Sequence, residues 1–147
     1  MALIPIPWCS AFGISYPKEM NAESRGLIIA APASGNGKTV VTLGLLRSFA
    51  RAGTKVVSAK VGPDYIDPAF HEKASGSLCR NLDTWAMRPS SLIQGISELS
   101  KEGALIICEG VMGLFDGAQG ASAKCDGSTA SLARITGWPV ILIIDAA

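Results

Sequence analysis

The sequence predicts an α/β fold: a mostly parallel sheet with helices on both faces. Two observations lead there. Four short apolar runs, at 27–31, 55–61, 104–108 and 140–144, alternate with helical segments. The runs are continuously apolar, with little of the apolar–polar alternation of a one-sided sheet, which is the mark of strands covered on both faces. A chain of 147 residues, 48% hydrophobic and 17% charged, has the composition and length to form one core of this kind.

The elements follow in order. Residues 27–31 (LIIAA) form the first strand, which stops at Pro32, and a glycine-rich turn comes next. A helix is expected over 38–52, with Val41, Leu45 and Phe49 on one face, Arg47 and Arg51 on another, and Gly53 ending it. The second strand, 55–61 (KVVSAKV), runs into KVGPDYIDPAFH, a loop dense in Pro, Gly and Asp that leads to a helix over 68–74. Ser90 or Ser91 is placed to cap a helix reaching 101. The strand 104–108 (ALIIC) is followed by a loop rich in Gly, Ala and Ser over 110–127, a short helix over 128–136, and the strand 140–144, which ends at Asp145. No internal repeat or linker divides the chain. Since it stops at the C-terminal end of a strand, where such sheets place their ligands, a truncated domain is expected.

Bulk properties exclude several classes. A net charge of +1 argues against nucleic acid or another polyanion held by bulk charge, and no aromatic pattern suggests base stacking. The four cysteines, Cys9, Cys79, Cys108 and Cys125, include no C-x-x-C pair, and one histidine cannot complete a zinc set, so reduced thiols in a cytoplasm are expected. The first 20 residues are apolar but broken by Pro5, Pro7 and Pro17 and lack a basic start, which excludes a signal peptide and a membrane span. Residues 1–25 are read as a poorly ordered extension and 26–147 as the domain.

The turn PASGNGKT, residues 32–39, carries the chemistry. Gly35 and Gly37 let successive amides point into one concavity, the helix N-terminus adds partial positive charge, Lys38 adds a full charge, and Thr39 offers a hydroxyl to Mg²⁺. This is a phosphate-binding P-loop with Pro32 in place of the first glycine. Ser34, Gly35, Asn36, Gly37, Lys38, Thr39 and Val40 are its expected phosphate-contacting residues. Ala33 stands where partitioning ATPases carry a second lysine.

A P-loop needs acids to hold its metal. Glu109 ends the strand ALIIC, in the Walker-B position. Asp64 and Asp67 follow the second strand, so a parallel sheet delivers them to the same edge, and Pro63 and Pro68 restrict the backbone on either side. Asp116, in GLFDG, is a further candidate; each of these acids is also compatible with an ordinary turn or strand end. Asp145 is assigned a structural role. His71 is read as a capping or packing residue, and Trp85 and Trp138 as core or edge residues.

APASGNGKT, KVGPDYIDPAFH, EGVMGLFDG, GSTASLA and PVILIIDA, in that order, resemble the cobyrinic acid a,c-diamide synthase family over residues 26–147, and the segment GPDYIDP is the specific part. Pro32 is ordinary in that family. The resemblance implies a P-loop fold like that of dethiobiotin synthetase. It also implies an ATP- and Mg²⁺-dependent ligase of cobalamin biosynthesis that amidates the a and c carboxylates of cobyrinate through an acyl phosphate. It implies Mg²⁺ on Thr39, Asp64 and Glu109, phosphates on Lys38 and the loop amides, and Tyr65, Asp67 and Asp116 around the substrate carboxylate, so that Lys38, Asp64, Tyr65, Asp67 and Asp116 are the expected catalytic set. The implied partners are a cobyrinate-type corrinoid, ATP and a glutaminase domain or subunit that supplies ammonia; a homodimer is compatible, and neither nucleic acid nor membrane is expected. Family members end in a glutaminase domain whose cysteine precedes its histidine; here no histidine follows Cys79, Cys108 or Cys125, so that domain is expected to be absent from this chain. The alternatives are a,c-diamidation of a nickel sirohydrochlorin, another P-loop ligase such as dethiobiotin synthetase, and an inactive nucleotide-binding fragment.

Overall fold

A computed structural model describes residues 25–100, 104–118 and 125–146. The expectations for 1–24, for the helix end at 101, for the middle of the loop after the third apolar run and for Ala147 lie outside the described residues.

The elements run β1 (Gly26–Ala30), α1 (Lys38–Arg51), β2 (Val56–Val61), α2 (Asp67–Ser75), β3 (Cys79–Leu82), α3 (Pro89–Ser100), β4 (Leu105–Glu109), α4 (Thr129–Thr136) and β5 (Val140–Leu142). The sheet is parallel throughout, in the order β3-β2-β4-β1-β5. Neighbouring residues of one strand divide between two apolar clusters. Ile28, Val57, Ile106 and Cys108 pack with Leu92, Ile96 and Leu99 of α3 and Leu132 of α4. Ile29, Val56 and Ile107 pack with Leu46 of α1, joined by Phe49 and by Ala74 of α2. Period-two alternation sends successive side chains to opposite faces, and both faces are covered, which is why β1 and the first four residues of β4 read as near-continuous apolar runs.

Several sequence expectations are corrected. Among the described residues there are five strands, not the expected four: the added one, β3, carries no strand signal in sequence because CRNL is four residues long and only Leu82 is buried. In α1 the fully buried positions are Lys38, Thr42 and Leu46, so the helix is turned about one residue from the expected Val41–Leu45–Phe49 face, although Leu45 and Phe49 still pack at its margin. Pro89 opens α3, which puts Ser90 and Ser91 in its first turn instead of at its cap. Ser128 does cap α4, its Oγ accepting from the Ser131 amide at 3.1 Å. Trp138 is buried, whereas Trp85 is 62% exposed. β5 ends at Leu142 and is an edge strand whose side chains are exposed.

Gly26 shows how tightly the first strand is held. A Cβ built there falls on the Trp138 indole, which is itself buried. Gly26→Ala is therefore expected to destabilise the fold by about 1–3 kcal/mol, the usual cost of overpacking a filled site. Urea unfolding of the variant measures it, and a change under 0.5 kcal/mol would show that the indole moves aside freely.

Candidate functional site

The parallel sheet brings the C-terminal ends of β1, β2 and β4 to one edge. Register sets Glu109 opposite Ile29 of β1 on one side and opposite Lys60 of β2 on the other. Glu109 continues the alternation Leu105, Ile107, and Lys60 continues Val56, Ser58, so both point to the face covered by α1 and α2. The same side-chain row that is apolar in the middle of the sheet becomes charged at its end.

The loop 32–37 leaves β1 and turns into α1. Gly35 and Gly37 adopt φ of 85° and 82°, left-handed values that an L side chain strains to reach. No side chain caps α1, so its first amides face the loop. Lys38 folds back across it, donating from Nζ to the Ala33 carbonyl at 3.0 Å and the Met112 carbonyl at 2.7 Å. Met112 holds a positive φ of 43°, a strained value for a non-glycine residue. Burial and the nearby Lys60 charge lower the Lys38 pKa, and Glu109 and Asp116 work against that. The β4 loop lies hard against the P-loop: a Cβ at Gly113 would come within 2.5 Å of the Pro32 carbonyl, and the Leu114 amide donates to Ala31 at 2.9 Å.

Glu109 is 1% exposed and fully engaged. Its Oε1 accepts from Thr39 Oγ1 at 2.5 Å and from Lys60 Nζ at 3.1 Å, and its Oε2 lies 2.7 Å from His71 Nε2. Burial pushes the Glu109 carboxyl up, but the bonds from His71, Thr39 and Lys60 outweigh it and hold the pKa below its ordinary value. His71 is 0% exposed and sits between Glu109 and Cys79 Sγ, 3.5 Å from its Nδ1. It is therefore a packed histidine, as its solitary position suggested, but one that orients a site carboxylate.

The loop KVGPDYIDP is built to hold acids. Gly62 turns the chain at φ 82°. Asp64 Oδ1 then accepts the amides of Ile66 at 2.8 Å and Asp67 at 3.0 Å, at the start of α2, while Asn81 Nδ2 of β3 holds the Asp64 carbonyl at 2.7 Å. The second oxygen, Asp64 Oδ2, lies 3.8 Å from Lys60 Nζ. Burial raises the Asp64 pKa, but the two amides and Lys60 together bring it below normal. Asp67 Oδ2 meets Lys60 Nζ at 2.7 Å.

Thr39, Asp64, Asp67 and Glu109 thus meet around Lys60. Asp116 stands beside Lys38 and turns its own loop by accepting the Gly113 amide at 2.9 Å. Tyr65 is 87% exposed and Val40 75% exposed, and neither joins the cluster. Sequence reasoning overlooked two members. Lys60 had a signal, a lysine inside an otherwise buried strand; His71 had none, since its partner is 38 residues away. Burial pushes the Cys79 thiol up to about 11 and Cys108 higher still, which disfavours either of these two as a nucleophile.

Among the described residues no group of three His, Cys, Asp or Glu side chains could hold a metal ion by itself. The oxygen donors fit Mg²⁺ all the same, because that ion takes one or two carboxylates and completes its shell with water and phosphate. The depressed carboxyls also set an acid limit. The stabilisation they supply is complete above their ordinary values, 3.8 for Asp64 and 4.5 for Glu109, and is lost as the pH falls through the lower folded values. Through these carboxyls the melting temperature is expected to change little between about pH 5 and pH 7 and to drop below about pH 4; a flat profile down to pH 3 would contradict the assignment.

The family model described as CobQ/CobB/MinD/ParA nucleotide binding domain matches residues 27–137. Hydrogenobyrinate a,c-diamide synthase of Brucella anthropi is 53% identical over 124 residues, 84% of this chain and 28% of that protein. The proteins of that name from Rhizobium meliloti and Agrobacterium fabrum are each 52% identical over 122 residues, 83% of this chain and 28% of theirs. The chain therefore spans a little over a quarter of the length of these curated relatives. Among the described residues no helix is long and apolar enough to cross a membrane.

Proposed function

From the premise that the chain belongs to the CobQ/CobB/MinD/ParA nucleotide-binding domain family, we propose that it forms the ATP–Mg²⁺ site of a corrinoid a,c-diamide synthase. The observation that carries this is the meeting of Thr39, Lys60, Asp64, Asp67 and Glu109 beside the P-loop. The names of the relatives favour a cobyrinate-type ring, hydrogenobyrinate, as substrate. The acceptors are its a and c side-chain carboxylates.

The loop amides of 34–40 and the Lys38 ammonium bind the β- and γ-phosphates. Thr39, Asp64 and Glu109 would hold Mg²⁺, which would neutralise phosphate charge. His71 holds Oε2 of Glu109 and so fixes its rotation with Oε1 facing Thr39 and Lys60. A substrate carboxylate oxygen attacks the γ-phosphorus, the bond to the bridging oxygen breaks, and ADP departs with the electron pair. Ammonia then attacks the acyl carbon, phosphate leaves, and the nitrogen loses a proton. Asp67 and Asp116 orient the substrate side chain, and exposed Tyr65 offers an open aromatic surface to the ring. The protein's contribution is positioning and charge neutralisation. Ammonia comes from glutamine through a glutaminase unit, and the setting is cytoplasmic.

Calorimetry with ATP–Mg²⁺ on the folded chain is the test, followed by mass spectrometry for ammonia-dependent amidation of hydrogenobyrinate. Saturable nucleotide binding supports the reading. A folded chain that binds no ATP would remove it.

A further inference from the structure

Lys60 is 4% exposed and stands among oxygens: Asp67 Oδ2 at 2.7 Å, Glu109 Oε1 at 3.1 Å, the Gly110 carbonyl at 3.2 Å and Asp64 Oδ2 at 3.8 Å. The two acids assigned to the metal each have one oxygen committed elsewhere, Asp64 Oδ1 to the Ile66 and Asp67 amides and Glu109 Oε2 to His71. The oxygen left on each is the one facing Lys60. The ammonium therefore occupies the place where a cation shared by these acids would sit.

We propose that Lys60 is a resident counter-cation that keeps free divalent metal out of the site and makes metal capture depend on bound nucleotide. The inference rests on the nucleotide–metal reading above. A divalent ion arriving alone must approach a fixed positive charge on a buried side chain, next to the buried Glu109, where like charges are poorly screened. It must also take Glu109 Oε1 from the lysine. A bound triphosphate changes both conditions: it adds negative charge for the metal, and it offers Lys60 another anionic partner. Lys60 acts on metal affinity through Asp64 and Glu109 and is in that sense a positioning residue.

The test follows Mn²⁺ by its paramagnetic resonance signal, with and without a non-hydrolysable ATP analogue, after correction for the metal–nucleotide complex in free solution. Wild type, Lys60→Met and Lys60→Arg are compared. Wild type should bind Mn²⁺ at least about tenfold more tightly when the analogue is present. Lys60→Met should bind Mn²⁺ alone at least about tenfold more tightly than wild type does, a gain that structural damage does not produce. Lys60→Arg keeps the charge and should resemble wild type. Equal Mn²⁺ affinity of wild type with and without bound analogue overturns the proposal, as does Lys60→Met binding no tighter than wild type. If Lys60→Met does not fold, the wild-type comparison decides. If the analogue fails to bind at all, the nucleotide reading falls instead, and Mn²⁺ alone on wild type and Lys60→Met still decides the role of the lysine.

Discussion

Lys38→Ala is expected to weaken ATP–Mg²⁺ binding by about 100-fold or more, roughly 2.7 kcal/mol. Lys38 is the P-loop's full positive charge, and its Nζ is held across the loop by the Ala33 and Met112 carbonyls at 3.0 and 2.7 Å. Those bonds aim the ammonium before any ligand arrives. Burial and the Lys60 charge already disfavour a second ammonium here, as its lowered pKa shows. Removing the charge relieves that repulsion, so the fold should lose little, within about 1 kcal/mol. Calorimetry and urea unfolding on the same preparation separate the two quantities. Binding that survives in Lys38→Ala would place the phosphates somewhere other than this loop.

Glu109→Ala should have the largest effect on stability, a loss of about 3–5 kcal/mol, because it breaks a buried charge network from one side. Lys60 and His71 are 4% and 0% exposed, and each would lose its Glu109 partner without water to replace it. Lys60 keeps Asp67 at 2.7 Å, so the unpaired histidine and the cavity carry much of the cost. Glu109→Gln should cost less, since the amide can still meet Thr39 and His71, yet it should weaken Mg²⁺-dependent nucleotide binding because the charge has gone. Urea unfolding of both variants is the measurement. An alanine variant within 1 kcal/mol of wild type would mean that the cluster contributes nothing to the fold.

Much of this site is legible along the chain because its signals are local. PASGNGKT sits between an apolar run and an amphipathic segment, and its glycines adopt the expected left-handed angles. Glu109 ends an apolar strand, and the two aspartates of GPDYIDP follow another, so a parallel arrangement alone predicts that they share an edge. The misses have physical reasons. CRNL has one buried residue and no flanking apolar run, so β3 is a strand only because Ser58–Val61 of β2 offers it a ladder. The burial of Thr42 in α1 is possible because its hydroxyl donates to the Lys38 carbonyl at 2.9 Å, so a polar residue can lie on the packed side of the helix beside Leu46.

The fold class, the P-loop, the strand-end acids and the family likeness are all legible in the chain alone, because backbone geometry, apolar periodicity and glycine placement are properties of neighbouring residues. What those acids do to one another is settled by the folded packing. Register sets Lys60 beside Glu109, and α2 drops His71 onto the far oxygen of the same carboxylate. Charge, burial and hydrogen bonding across 38 to 70 residues of chain cannot be read from spacing, since they depend on which strands become neighbours. The fold is a local pattern repeated, whereas the site is a meeting of distant residues that only the sheet's strand order brings about.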